Sequence, residues 1–209
     1  MQTPDKATVF DQSRPFPLHP KVDMKPARLV DIVNMGPTVI RFPGSEDYVC
    51  EQVVLVFYTG LKDHHGSGKT VNVEQRFTLS LGKKAKLRAL IEGWRGDSFT
   101  PADEAKFKTE GFDINKFYGK PCLLTTVHKT SASGKTRCEV LTVTKVPEEM
   151  KGLVPRMEDI SYERNPWWET EKARVLEDTT AWLRKNGAAI EESGHGQAPA
   201  PEGDDDRPF

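Results

Sequence analysis

The sequence predicts a mainly β fold with a helical insert, in which five strands form a partly open barrel. Segments rich in β-branched and aromatic residues alternate between apolar and polar side chains, which is typical of half-buried strands. The hydrophobic period then lengthens to three or four residues, as in a helix, and returns to two. A further change in composition follows Pro155.

Three strands are predicted first, at residues 27–36, 48–60 and 70–82, and the first of them ends at a Gly-Pro pair. The third alternates throughout its length. One side carries Val71, Val73, Phe77, Leu79 and Leu81, and the other carries Asn72, Glu74, Arg76, Thr78 and Ser80.

The helical segment between strands three and four begins with residues 83–94, where apolar residues recur at three- and four-residue spacing. A second helix starts at Thr100 as N-cap, followed by Pro101 and two acidic residues. A turn at 112–119 precedes strands at 120–129 and 136–146. This order is that of a five-stranded OB-fold barrel. A β-sandwich with a helical insert has the same strand count, but the small size of the segment favours the barrel.

The residues after Pro155 predict a helix that starts at Asn165-Pro166 and stops at Gly187. Its apolar stripe comprises Val175, Leu176, Thr179, Trp182 and Leu183. We expect the stripe to pack on the barrel, with partner binding as the alternative. The predicted organisation is a flexible arm (1–24), an OB-fold domain (25–155), a helical extension (156–186), and a disordered linker with an acidic tip (187–209).

Several function classes find no support in the residue patterns. No apolar run is long enough to span a membrane and the first residues lack a secretory h-region, so a cytoplasmic location is expected. Cys50, Cys122 and Cys138 have no paired spacing and are expected to be buried free thiols. The segment "GSGKT" at 66–70 lacks the first glycine of a phosphate-binding loop, because Asp63 stands there, and it leads into a strand.

The five histidines form no ligand pattern, and no catalytic signature is present. We therefore expect a protein without enzymatic activity and without a cofactor.

Charge divides the chain into a basic body and an acidic end. Residues 61–138 contain fifteen Lys/Arg against eight Asp/Glu, whereas the residues after Asn186 contain six acidic residues and one arginine. This asymmetry predicts a body that binds a polyanion and an anionic end that binds proteins.

Single-stranded nucleic acid needs cations for its phosphates and flat rings for its bases. In OB-folds it lies across strands two and three and between the flanking loops. We predict that Tyr58 and Arg76 share the outer face, with Val54 across from Arg76. We interpret Phe57, Phe77 and Trp94 as core residues. Lys83 and Lys84 could alternatively be solvent-exposed positions at the start of the helix. The predicted DNA-binding residues are Tyr58, Lys62, His64, Lys69, Arg76, Lys83, Lys84, Arg95, Lys129, Lys135 and Arg137.

The final residues, "DDDRPF", suit a basic pocket with an apolar floor. Phe209 would fill the pocket, its carboxylate and the aspartates would meet Lys/Arg, and Pro208 would limit the entropy lost on docking. The predicted protein-binding residues are Asp204, Asp205, Asp206, Pro208 and Phe209.

This tip resembles the acidic C-terminal tip of bacterial single-stranded DNA-binding proteins, except that Arg207 stands where that family usually has an apolar residue. Residues 79–129 resemble phage-encoded proteins of replication and recombination modules, through Trp94-Arg95-Gly96-x-x-Phe99 and the Gly-Lys-Pro-Cys stretch at 119–122. That second resemblance covers most of residues 25–146.

The resemblance implies a phage protein that binds single-stranded DNA without strong sequence preference in the bacterial host cytoplasm. It would protect DNA and recruit host or phage replication, recombination and repair proteins through the tip. An RNA-binding or strand-annealing module, a tail-based decoy of host proteins and, least favoured, a nuclease are the alternatives.

Overall fold

The computed structural model describes residues 18–41, 44–131 and 134–186 of the 209-residue chain. The strands are β1 (Lys25–Ile40), β2 (Tyr48–Tyr58), β3 (Val73–Thr78), β4 (Pro121–Thr130) and β5 (Thr136–Thr144). The α-helices are α1 (Lys86–Arg95), α2 (Pro101–Glu110) and α3 (Trp167–Lys185), and short 3₁₀ segments span Ile114–Phe117, Glu148–Leu153 and Met157–Asp159. The prediction of five strands with a helical segment between the third and fourth is confirmed.

The strands form one antiparallel sheet in the order β3-β2-β1-β4-β5, and the sheet is not closed into a barrel. β3 is shorter than predicted because the chain turns after Thr78, where the Ser80 amide donates to the Thr78 carbonyl at 2.8 Å. In the described residues β3 reaches β5 through a side chain: Gln75 Oε1 accepts from the Val140 amide at 3.2 Å. The predicted pairing of Val54 with Arg76 is confirmed.

A different helix packs on each face of the sheet. The inner face packs against α1, with Phe57, Phe77 and Trp94 in the core as predicted. The outer face packs against α3, where Trp168 and Val175 cover residues of β1 and β2. The covered outer-face residues are Val30, Val33, Met35, Val54 and Val56.

Two residues assigned to apolar stripes lie elsewhere. Leu79 was predicted to face the interior with Phe77, but it is 39% exposed because β3 has already ended. Leu176 was placed in the α3 stripe, but it is 50% exposed because the buried positions of α3 are Trp168, Glu171, Val175 and Thr179. The prediction that this helix packs on the sheet is confirmed.

Three ion pairs at seven-residue spacing in the C-terminal extension hold α3 on the sheet. Arg164 binds Asp31 of β1 at 2.5 Å, Glu171 binds Arg76 of β3 at 3.2 Å, and Asp178 binds Arg41 after β1 at 2.7 Å.

Asp31 is the most buried of the three carboxylates. Burial raises the pKa of Asp31, but hydrogen bonds from Arg164 and Tyr162 outweigh burial and hold that pKa below its ordinary value. The carboxylate is therefore charged, and it joins the extension to β1.

The predicted start of α2 is confirmed. Thr100 Oγ1 accepts from the Asp103 amide at 3.2 Å, and Asp103 Oδ2 accepts from the Thr100 amide at 2.9 Å, which forms a capping box. α2 buries none of its residues, so it lies on the surface of the insert. The three cysteines are free, and only Cys122 is fully buried. Among the described helices, none has the length and apolar character needed to cross a bilayer.

α1 approaches β5 most closely at Gly93. A Cβ added there would lie 2.6 Å from the Val143 carbonyl oxygen, which is closer than real Cβ contacts. Since this neighbour is backbone, it cannot move aside without shifting the strand.

We expect Gly93→Ala to lower the free energy of unfolding by about 1–3 kcal/mol, because overpacking against β5 outweighs the better helix propensity of alanine. Chemical denaturation measures the change. Gly152→Ala is the control, because a Cβ at Gly152 meets no atom within 4 Å. An unchanged or raised unfolding free energy for Gly93→Ala would contradict the close approach.

Candidate nucleic-acid interface

Two segments distant in sequence meet at one end of the sheet. The loop after β2 and the β4–β5 hairpin contact each other through His64 and His128, whose ring centroids lie 5.1 Å apart at 75°. We call residues 59–72, 126–131 and 134–139 together the cationic end. These segments carry five Lys/Arg and two acidic residues. The five are Lys62, Lys69, Lys129, Lys135 and Arg137. All five are exposed.

Asp63 organises the loop. Its side chain is buried and accepts from the amides of Leu18 at 2.7 Å, His65 at 3.2 Å and Ser67 at 3.3 Å. These bonds, led by the one from Leu18, lower the pKa of Asp63 to about 2. Gly66 and Gly68 adopt φ values of 78° and 74°, which favour glycine. The "GSGKT" segment is thus a tight loop around an aspartate, and β3 follows it.

Residues 18–24, which the sequence analysis assigned to the N-terminal arm, pass between the loop and the hairpin. The Leu18 carbonyl accepts from the His64 amide at 2.7 Å, and the Val22 carbonyl accepts from the Thr126 amide at 2.8 Å. His128 Nε2 donates to the His19 carbonyl at 2.8 Å. This segment therefore contacts both halves of the cationic end.

His19 is buried between these segments. Its Nδ1 donates to the Pro20 carbonyl at 2.7 Å, and its Nε2 is hydrogen-bonded to the Thr59 hydroxyl at 2.6 Å. Burial, together with the nearby His128, holds the pKa of His19 below its ordinary value, although the bond to Pro20 acts in the opposite direction.

On the hairpin, one carboxylate forms ion pairs with two cations. Glu139 accepts from Lys129 at 2.8 Å and from Arg137 at 2.9 Å, and its side chain is only 14% exposed. Both cations are themselves more than half exposed, so the arrangement fixes two positive groups side by side at the surface. Lys135 lies at the adjacent turn, where the Ser131 amide donates to its carbonyl.

α3 packs on the outer face mainly over β1, next to the β2–β3 surface where the sequence predicts base stacking. Arg76 binds Glu171, whose pKa is lowered by Arg174 and then by Arg76. Tyr58 is half-buried and packs on the outer-face cluster that includes Trp168. Both side chains are partly exposed beside α3, and their role in DNA binding stays a prediction.

Lys83, Lys84 and Arg95 are not grouped with the cationic end. The two lysines and the cationic loop lie at opposite ends of β3. The lysines follow its last residue, Thr78, which pairs with Gln52, and the loop precedes its first residue, Val73, which pairs with Phe57. Arg95 lies over the Phe99 ring at 4.7 Å and 3.8 Å from Asp103. The structure therefore places these cations around the helical insert.

The sequence analysis missed His19 and His128 as organising residues. Each is a single histidine in an unremarkable local pattern, and only the folded chain shows that His19 lies between the β2–β3 loop and the hairpin. From the sequence, Asp63 was noted only because it stands where a phosphate-binding loop has its first glycine.

The predicted protein-binding residues, Asp204, Asp205, Asp206, Pro208 and Phe209, lie outside the described residues. Within the described ranges no group of three or more His, Cys, Asp or Glu side chains is placed to hold a metal ion. Comparison with known proteins finds no matching family model, no matching curated protein and no matching solved structure.

We expect the free energy of unfolding to fall as the pH drops below about 6.5, because the unfolded chain then protonates His19 more readily than the folded chain does. Stability therefore rises with pH through this window. Denaturation at pH 7.5 and 5.5 should show a smaller pH dependence for His19→Gln than for the wild type. His65→Gln, which changes an exposed histidine, should keep the wild-type dependence. The same pH dependence in all three proteins would contradict the argument.

Proposed function

We propose that this protein binds single-stranded DNA without strong sequence preference and has no enzymatic activity of its own. The observation that carries the proposal is the contact between His64 and His128, which brings two cationic segments together at one end of the sheet. The cationic end thereby offers a compact positive surface to a phosphate chain.

The strand order supports an OB-fold. In such a fold the first strand pairs with the second and the fourth, and a helix lies between the third and fourth. Here β1 pairs with β2 and β4. α1, which follows β3 and precedes β4 in the chain, packs on the inner face of the sheet. The side-chain bond from Gln75 to β5 lies where strand pairing would close such a barrel. We therefore infer a partly open barrel of this class.

Stacking partners for the bases are available at the cationic end. His64 and His65 are exposed, and imidazole rings can stack on nucleobases as other flat rings do. Their ring centroids lie 5.6 Å apart, next to Lys62 and Lys69 in the same loop. Two adjacent rings are thus flanked by cations along one loop, and rings with cations are the combination that sequence-tolerant binding of single strands uses.

The acidic tip completes the proposed function. An aromatic residue beside three aspartates suits a basic, apolar pocket on another protein, and we propose that the tip recruits proteins of DNA replication, recombination or repair. Phage origin and a bacterial cytoplasmic location follow the sequence resemblance and belong to the same proposal.

Titration of fluorescent oligonucleotides tests the binding function directly. Single-stranded DNA, duplex DNA and RNA of matched length are compared at low and moderate salt, since electrostatic binding weakens with salt. Preference for single-stranded DNA supports the proposal. Preference for RNA favours the RNA-binding alternative, and absence of binding at low salt favours the protein decoy.

We expect Lys62→Ala, Lys69→Ala and Lys135→Ala together to reduce the slope of log affinity against log salt by about 2, because each cation paired with a phosphate contributes about 0.7 to that slope. The matched control replaces Lys108, Lys172 and Lys185, exposed lysines outside the cationic end, and should keep the wild-type slope. Equal slopes for both triple variants would show that the cationic end makes no specific contribution.

We expect Arg76→Ala to change DNA affinity by less than about twofold and to lower the free energy of unfolding by about 1 kcal/mol, because its partner is Glu171 of α3. Oligonucleotide titration and chemical denaturation measure the two effects. A large loss of affinity at unchanged stability would instead place DNA on the outer face beside α3.

A further inference from the structure

A cleft of about 590 Å³ lies in the helical insert, away from the cationic end. Its floor is a run of aromatic rings, in which Trp94 is buried and Phe107, Phe112 and Phe117 are partly exposed. Trp94 lies 4.9 Å from Phe117, Phe117 lies 6.1 Å from Phe112, and Phe112 lies 5.2 Å from Phe107, all between ring centroids. A cluster of partly exposed rings around a cleft is typical of an interaction site for an apolar side chain.

The rim of the cleft carries charges of both signs. Arg95 and Lys106 have carboxylate partners within 4 Å, at Asp103 and Glu110. Lys116 and Lys120 have no ion-pair partner among the described residues, and both are exposed. The cleft therefore offers two available cations beside the rings.

Asp103, Glu110 and Asp113 also line the cleft. Together with the four cations of the rim, these carboxylates give the cleft charges of both signs, which a ligand of uniform negative charge complements only in part. A ligand with an aromatic group, several negative charges and one positive charge matches it better. The chain itself contains such a segment, "DDDRPF", at 204–209.

We propose that the cleft binds residues 204–209 of the same chain. Phe209 lies on the ring floor, the aspartates pair with Lys116 and Lys120, and Arg207 pairs with Glu110 or Asp113. The arginine that departs from the bacterial tip pattern thus has a partner of opposite charge at this site.

The connecting segment is long enough for this docking. The cleft residue Lys120 is hydrogen-bonded through its backbone carbonyl to Leu29, and Asp178 of α3 is paired with Arg41. The strand between Leu29 and Arg41 spans about 40 Å, and α3 continues for about 12 Å beyond Asp178. Residues 187–203 reach about 60 Å when extended, which covers this separation.

Docking in the cleft gives the tip an alternative to binding other proteins. A partner must then compete with the chain's own cleft. Its apparent Kd for the tip is the intrinsic Kd divided by the fraction of chains whose tip is free. The inference does not rest on DNA binding, and DNA enters its test only as a competitor of the peptide.

Photo-crosslinking locates the tip in the full-length protein. Phe209 is replaced by a photoreactive benzoyl-phenylalanine, and mass spectrometry maps the products. Cross-links within one chain to residues 94–121 support the proposal. Cross-links to the cationic end, cross-links only between chains, or none at all overturn it.

A labelled peptide of residues 200–209 gives a second measurement. We expect it to bind full-length Phe209→Ala more tightly than the wild type, because the variant's own tip no longer fills the cleft. Adding Lys116→Glu and Lys120→Glu to that variant should weaken peptide binding by about tenfold or more.

The matched control adds Lys172→Glu and Lys185→Glu, which change the charge equally at α3 and should leave peptide binding unaltered. Circular dichroism verifies that each variant folds. Equal peptide affinity for the wild type and Phe209→Ala, equal losses in the two charge variants, or displacement of the peptide by oligothymidine overturns the proposal.

Discussion

The cover that α3 forms over the outer face of the sheet is the constraint on which the rest depends. β2 runs through consecutive apolar residues at 53–57, so both of its faces need burial, and a single helical insert covers only one. α3 provides the second cover, and the pairs made by Arg164, Glu171 and Asp178 fix its direction along β1. With a helix on each face, the loop end of the sheet groups five exposed cations at the surface.

The local features of the fold could be predicted from the sequence because local residues determine them. Strand alternation, the change of period at α1 and the cap at Thr100 each depend on neighbours within a few positions. The end of β3 at Thr78 was not visible, because alternation continues to Leu81 while the backbone already turns. The unbroken apolar run of β2 requires burial on both faces, but it does not identify which segment supplies the second cover.

The candidate site, like the fold, could be predicted from the sequence only in its local features. The sequence shows that the loop and the hairpin each contain Lys or Arg residues, but it does not show that the two segments are close. Their proximity depends on the contact between His64 and His128 and on the segment beginning at Leu18. Tyr58 and Arg76 were placed on one outer face, and the structure keeps them there under α3. Tertiary packing, rather than strand pattern, decides whether such a face is open to solvent.

The described chain enters and leaves the domain at opposite poles. Leu18 lies beside the loop at His64, whereas α3 ends past Asp178, at the far end of β1 near Arg41. A protein fused ahead of Leu18 would crowd the cationic end, while one joined after α3 would sit at the other pole. Attachment to a sensor surface through the far pole would leave the positive end facing the solution, so the choice of tethering point decides which surface an assay can sample.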